Sequence, residues 1–73
     1  MDVYIVSKLA NFWGVVNYGV ILSRSATCSD AIGIAVQTAA RVAKANGPAQ
    51  VLVDDGGDRR VIWDSTRDGF ATG

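Results

Sequence analysis

The stretch 29-SDAIGIAVQTAARVAKAN-46, with Thr27 ahead of it and Gly47-Pro48 behind it, decides the fold of this 73-residue chain. Almost all of its apolar residues are small. Helical spacing collects Ile32, Ala35, Val36, Ala39, Val42, Ala43 and Asn46 on one stripe and leaves Gln37, Thr38, Arg41 and Lys44 off it. Both ends of the helix are written in the residues. Thr27 can cap the first turn, with Asp30 three residues on as an imperfect capping box and a carboxylate at the positive end of the dipole; Ser29 is a rival cap. Arg41 and Lys44 lie toward the other end, Gly47 suits a left-handed position past the last turn, and Pro48 forbids continuation. An alanine stripe lets the helix axis approach its neighbour closely, so larger side chains must fill the space from the facing layer.

Working outward, the rest of the chain is rich in β-formers. Strands are expected over 3–7, 12–17 and 20–25, with a turn over 8–11 and a turn or bulge at Tyr18-Gly19. Their short links favour an antiparallel meander. Beyond the helix, strands over 49–54 and 59–64 flank Asp55-Gly56-Gly57-Asp58, a strong hairpin signal. The expected fold is therefore α+β: a three-stranded antiparallel meander, one alanine-rich helix and a C-terminal β-hairpin (β-β-β-α-β-β), with the helix packed on one face of the sheet. Residues 1–65 read as a single domain. Residues 66–73, small and polar apart from Phe70, read as a flexible tail.

Alternation divides the strand residues between two faces. One set is Val3, Ile5, Trp13, Val15 and Ile21; the other is Tyr4, Val6, Phe12, Val16, Tyr18, Val20 and Leu22. In the hairpin, Val51, Val53, Val61 and Trp63 oppose Leu52 and Ile62. The bulky rings of Trp13 and Trp63 complement the helix alanines, so their set is expected beneath the helix. A one-residue bulge would reverse that assignment. Tyr4, Val6, Phe12, Val16, Tyr18, Leu22, Leu52 and Ile62 are then the candidate interface, because one helix covers one face only. A chain of this length buries only about 60% of its unfolded surface and gains from a partner subunit. Three readings follow: scattered exposure on a twisted sheet, self-association through the open face or an edge strand, and a groove for another molecule.

The order Val3-x-Ile5-Val6, Trp13-x-Val15, Ala31-Ile32-x-x-Ala35, Ala39 or Ala40, Ala43, Gly47, Val51-x-Val53 and the Asp55-Gly56 turn resembles the DUF2188 group of small bacterial proteins of unknown function. The likeness spans residues 3 to 65. It implies a Trp-x-Val hairpin, an alanine-rich helix and a closing hairpin, and it carries no catalytic residues with it. This chain departs from the group's usual look in the nearly uncharged middle of its helix.

Seven basic and seven acidic residues give a formal net charge of zero. That balance removes the basic excess typical of nucleic-acid binders and gives no pull toward an anionic membrane. No stretch is apolar for long enough to span a bilayer. The first residues, MDVYIVSK, lack a basic leader and an A-x-A-like cleavage pattern, so the expected location is the cytoplasm. Cys28 is the only cysteine and there is no histidine, which excludes an internal disulfide and a Cys–His pair and leaves no metal cluster of those types. Cys28 therefore reads as a packing residue. Asp54, Asp55, Asp58 and Asp64 surround the last hairpin, but the run is too short for a calcium loop and the chain has no glutamate. Arg59, Arg60 and Arg67 form a small basic group diluted by these acids, and a cross-strand ion pair between Arg59 or Arg60 and a neighbouring aspartate is expected. The expected role is a small non-enzymatic binding or structural module that self-associates through the sheet, without metal or cofactor. A nucleic-acid-associated domain is the alternative and a small enzyme the third reading. The identity of any protein partner is not legible.

Overall fold

The computed structural model describes residues 1–68. Five strands and one helix follow in the order β1 (Asp2–Leu9), β2 (Phe12–Asn17), β3 (Val20–Ser25), α1 (Cys28–Asn46), β4 (Ala49–Asp55) and β5 (Asp58–Asp64). The strands form one mixed sheet in the order β3-β2-β1-β4-β5. The meander and the hairpin are both antiparallel, and they join through a parallel pairing of β1 with β4. The helix supplies the crossover that a parallel pair requires. It packs across β1 and β4 and reaches β2 and β3.

The Thr27 side chain accepts from the Asp30 amide at 3.2 Å, so Thr27 caps the helix and Ser29 lies inside it. At the far end the Gly47 amide donates to Ala43 O at 3.2 Å. Gly47 has φ 101 and ψ −167, a glycine-only extended geometry rather than the left-handed helical one. Ala31, Ala35 and Ala39, one turn apart, are fully buried against the sheet. Opposite them stand Tyr4, Val6, Val15, Ala49, Val51 and Val53, with Trp13, Ile62 and Trp63 packed at the margin. Asn46, assigned to the stripe by spacing, is exposed.

The division of faces differs from the one expected. Trp13, Val15, Val51, Val53 and Trp63 do stand on the helix side, but Tyr4 and Val6 join them there, while Val3 and Ile5 lie on the open face. The cause is the first turn. The strand β1 runs on to Leu9, which pairs with Phe12, so only Ala10 and Asn11 turn the chain. A two-residue turn pairs positions of opposite parity, as in Ile5 with Val16 and Val6 with Val15. Ile21 likewise pairs with Val16 on the open face. In the hairpin, the register shifts between Val51 and Leu52. Ile62 is the extra residue; it leans on the core, and Val61 moves to the open face beside Leu52.

The tail expected over 66–73 begins as a hydrogen-bonded turn. Ser65 extends the β4 pairing, exchanging bonds of 2.9 Å with Ala49 through its amide and its hydroxyl. The Thr66 amide and hydroxyl donate to Asp64 Oδ1 at 2.8 and 2.6 Å, and the Asp64 amide donates to Asp68 Oδ2 at 2.9 Å. Residues 69–73 lie outside the described residues.

Candidate functional site

The sheet register lines up one aliphatic side chain from every strand on the face away from α1. Ile21 pairs with Val16, Val16 with Ile5, Ile5 with Leu52, and Leu52 with Val61. Polar rows flank this stripe. On one side Ser7 pairs with Gly14 and Asp54, and these pair in turn with Arg24 and Arg59. The Arg59 Nε–Asp54 Oδ2 distance there is 3.2 Å. On the other side Gln50 Nε2 donates to Asp64 Oδ2 at 2.8 Å. Gly14 sits beneath side chains: a Cβ there would stand 2.7 Å from Leu9 Cδ1, which would have to shift, and in ordinary contact with Phe12 at 3.6 Å and Ile21 at 3.7 Å. Leu9, Phe12 and Ile21 therefore meet over it, and the Arg24 guanidinium lies 5.0 Å from the Phe12 ring centre.

The two edges of the sheet are unlike. On β5 the exposed leading residues are Asp58, Arg59 and Arg60, charges that blunt an edge. Among the described residues β3 pairs only with β2, and its exposed side chains are Val20 (58%), Ile21 (43%), Leu22 (50%) and Arg24. Tyr18, in the turn before it, and Ile34, on the adjacent flank of α1, are exposed as well. Among the described residues, of the large apolar side chains most open to solvent only Met1 and Val61 lie elsewhere. Leu22 is the extra residue of a bulge, since Val15 pairs with Ser23 and Val16 with Ile21. Between β3 and the helix runs a groove of about 510 Å³, bounded by Arg24, Ser25 and Ala26 on one side and by Asp30, Gly33, Ile34 and Gln37 on the other.

The residues of the sequence-derived interface therefore fall in four places. Tyr4 and Val6 are buried beneath the helix and cannot contribute to an outer surface. Ile62 leans on the core. Phe12, Val16 and Leu52 lie on the open face, and Tyr18 and Leu22 lie at the β3 edge. The sequence-derived interface left out Ile5, Val61, Ile21 and Ile34, and also Val20, although alternation had grouped Val20 with the open set. Counting parity across a two-residue turn would have recovered Ile5. Nothing in the helix periodicity singles out Ile34, because its exposure follows from how α1 sits beside an edge.

Tyr18 has a second part to play. Its phenol donates to Met1 O at 3.3 Å and to Asp2 Oδ1 at 3.1 Å, tying the β2–β3 turn to the start of β1. The hydrogen bond to Asp2 raises the Tyr18 phenol above its ordinary value. The Asp64 carboxyl is lowered to about 2, first by the Gln50 amide and then by the Thr66 hydroxyl and backbone amide. Cys28 is half-buried against the core. Among the described residues no group of three His, Cys, Asp or Glu side chains could hold a metal ion, and no helix is long and apolar enough to cross a membrane.

No protein-family model, no curated protein and no solved structure matches the chain.

Proposed function

We propose that this chain is a small non-enzymatic binding or structural module that self-associates through its sheet. The observation that carries the reading is the gathering of Tyr18, Val20, Ile21, Leu22 and Ile34 along one free edge of a domain whose buried core is small. Exposed apolar side chains scattered singly need no explanation, whereas a contiguous set beside unpaired strand backbone marks a contact surface. We read the module as cytoplasmic. Sedimentation equilibrium across a concentration series tests the proposal. The expected species has twice the 7.7 kDa chain mass. A single 7.7 kDa species that is unchanged on concentration would refute it.

A further inference from the structure

We propose that the closing hairpin holds a site of self-modification. Asp55 cyclises onto the Gly56 amide and reopens as isoaspartate, while the fold holds the chemically faster pair Asn46-Gly47 inert.

The chemistry needs an aspartate or asparagine followed by an unhindered amide. The amide nitrogen of the next residue attacks the side-chain Cγ and the N–Cγ bond forms. For aspartate the Cγ–O bond breaks, and the hydroxyl leaves with the amide proton as water. For asparagine the side-chain nitrogen leaves as ammonia. Water then opens the five-membered succinimide. Opening at Cγ restores aspartate; opening at the main-chain carbonyl leaves the backbone running through Cβ and Cγ, with a free α-carboxylate. Water is the only co-reactant. A side chain on the second residue hinders the attack, so glycine is the favourable neighbour. Within the described residues two pairs meet that condition, Asn46-Gly47 and Asp55-Gly56. By side-chain chemistry alone Asn46 is the faster, because a neutral carboxamide is a better electrophile than an ionised carboxylate.

The backbone reverses that order. Closure of the ring swings the glycine nitrogen toward the side chain, so it requires rotation of the main chain and a free N–H. Asn46 is the last residue of α1, and the Gly47 amide donates to Ala43 O at 3.2 Å. The chain beyond is held as well: the Asp2 amide donates to Pro48 O at 3.1 Å, and Ala49 enters the parallel pairing opposite Asp2. Attack by the Gly47 nitrogen therefore loosens the end of the helix and the start of the β1–β4 pairing together.

Asp55-Gly56 has none of these restraints. Asp55 ends β4 and pairs with Asp58 across a two-residue turn, and residues 55–58 are all exposed. Among the described residues nothing accepts from the Gly56 amide, and the Gly57 amide reaches Asp54 Oδ1 only at 3.4 Å. Even an added Cβ on Gly56 or Gly57 would meet nothing within 4 Å, so no packing opposes rotation of the tip. Opening it breaks few contacts. The product carries one extra main-chain carbon in a turn whose length sets the register, so modification loosens β5 against β4.

The test places the same chemistry at both positions. Asp55→Asn gives the hairpin an Asn-Gly pair like that at the helix end, so only the backbone differs. The wild-type chain and this variant are aged in mildly acidic and neutral buffer, folded and in concentrated urea. Trypsin then releases residues 45–59, which contain both pairs. Electron-transfer fragmentation locates isoaspartate by cleavage within its extended backbone, and deamidation by the gain in mass. In the folded variant the hairpin asparagine should deamidate at least about tenfold faster than Asn46, and in urea the two rates should converge. Folded wild type should accumulate isoaspartate at Asp55 with Asn46 intact. Equal rates at the two positions in the folded variant, or isoaspartate at Asp55 that forms only in urea or not at all, would overturn the proposal.

Discussion

Ala10 and Gly19 sit in two neighbouring turns with opposite residue choices for the same backbone demand. Ala10 has φ 33 and Gly19 has φ 78. An L-residue held at such angles carries about 1–2 kcal/mol of steric strain. Glycine avoids it but loses about 0.5–1 kcal/mol more backbone freedom on folding. Replacing Ala10 with glycine should therefore stabilise the domain by about 0.5–1 kcal/mol. Gly19→Ala should destabilise it by a similar amount, and by backbone strain alone, because nothing lies within 4 Å of the added Cβ. Tyr18, at φ 50, is the internal control. Tyr18→Gly relieves the same kind of strain but removes the phenol's bonds to Met1 and Asp2, so its gain is smaller. Urea unfolding at one fixed protein concentration, followed by tryptophan fluorescence and far-ultraviolet circular dichroism, reads all three. The midpoints should move in opposite directions for the first two with the denaturant slope unchanged, and the melting temperatures by about 4–8 °C per kcal/mol. A loss of stability in Ala10→Gly, or a gain in Gly19→Ala, would show that these turns are not governed by left-handed strain.

Ala39→Leu should cost about 1–3 kcal/mol in urea unfolding, because Ala39 is fully buried where α1 meets the sheet and added methylenes have no space. Asp64 titrates in the folded chain at about 2, below its ordinary 3.8. Its hydrogen bonds therefore stabilise the fold above the ordinary value and are lost as pH falls from 3.8 toward 2, so Asp64→Asn should flatten the acid limb of a pH–melting profile. An Asp64 carboxyl midpoint near 4 by NMR titration would contradict the role of Gln50 and Thr66. Duplex DNA and RNA should show no micromolar binding at about 150 mM salt in a filter assay. The outer face of the helix offers only Gln37, Arg41 and Lys44 as long donors, and binding that weakens steeply with salt would reverse this expectation.

Local chemistry was enough for the elements and their ends. Thr27, Gly47 and Pro48 delimit α1, the alanines at 35 and 39 mark its buried side, and the Asp55–Asp58 turn closes the hairpin. Each of these depends on neighbours in the chain, so the sequence by itself determined them. The pairing of an arginine with a hairpin aspartate was legible for the same reason, and Arg59 and Asp54 realise it. Which strand residues face the helix was decided only by the tertiary structure. Side-chain direction in a strand has period two, so one residue of turn length or one bulge moves every later side chain to the other face. The two-residue turn at Ala10-Asn11 put Tyr4 and Val6 in the core, and the bulge at Ile62 exchanged it with Val61. The candidate site was less legible still. That β3 ends the sheet depends on the parallel pairing of β1 with β4, a contact between segments more than forty residues apart. Only that pairing leaves Val20, Ile21 and Leu22 at an open edge and sets Ile34 beside them, because edge exposure belongs to strand order and no local pattern encodes it.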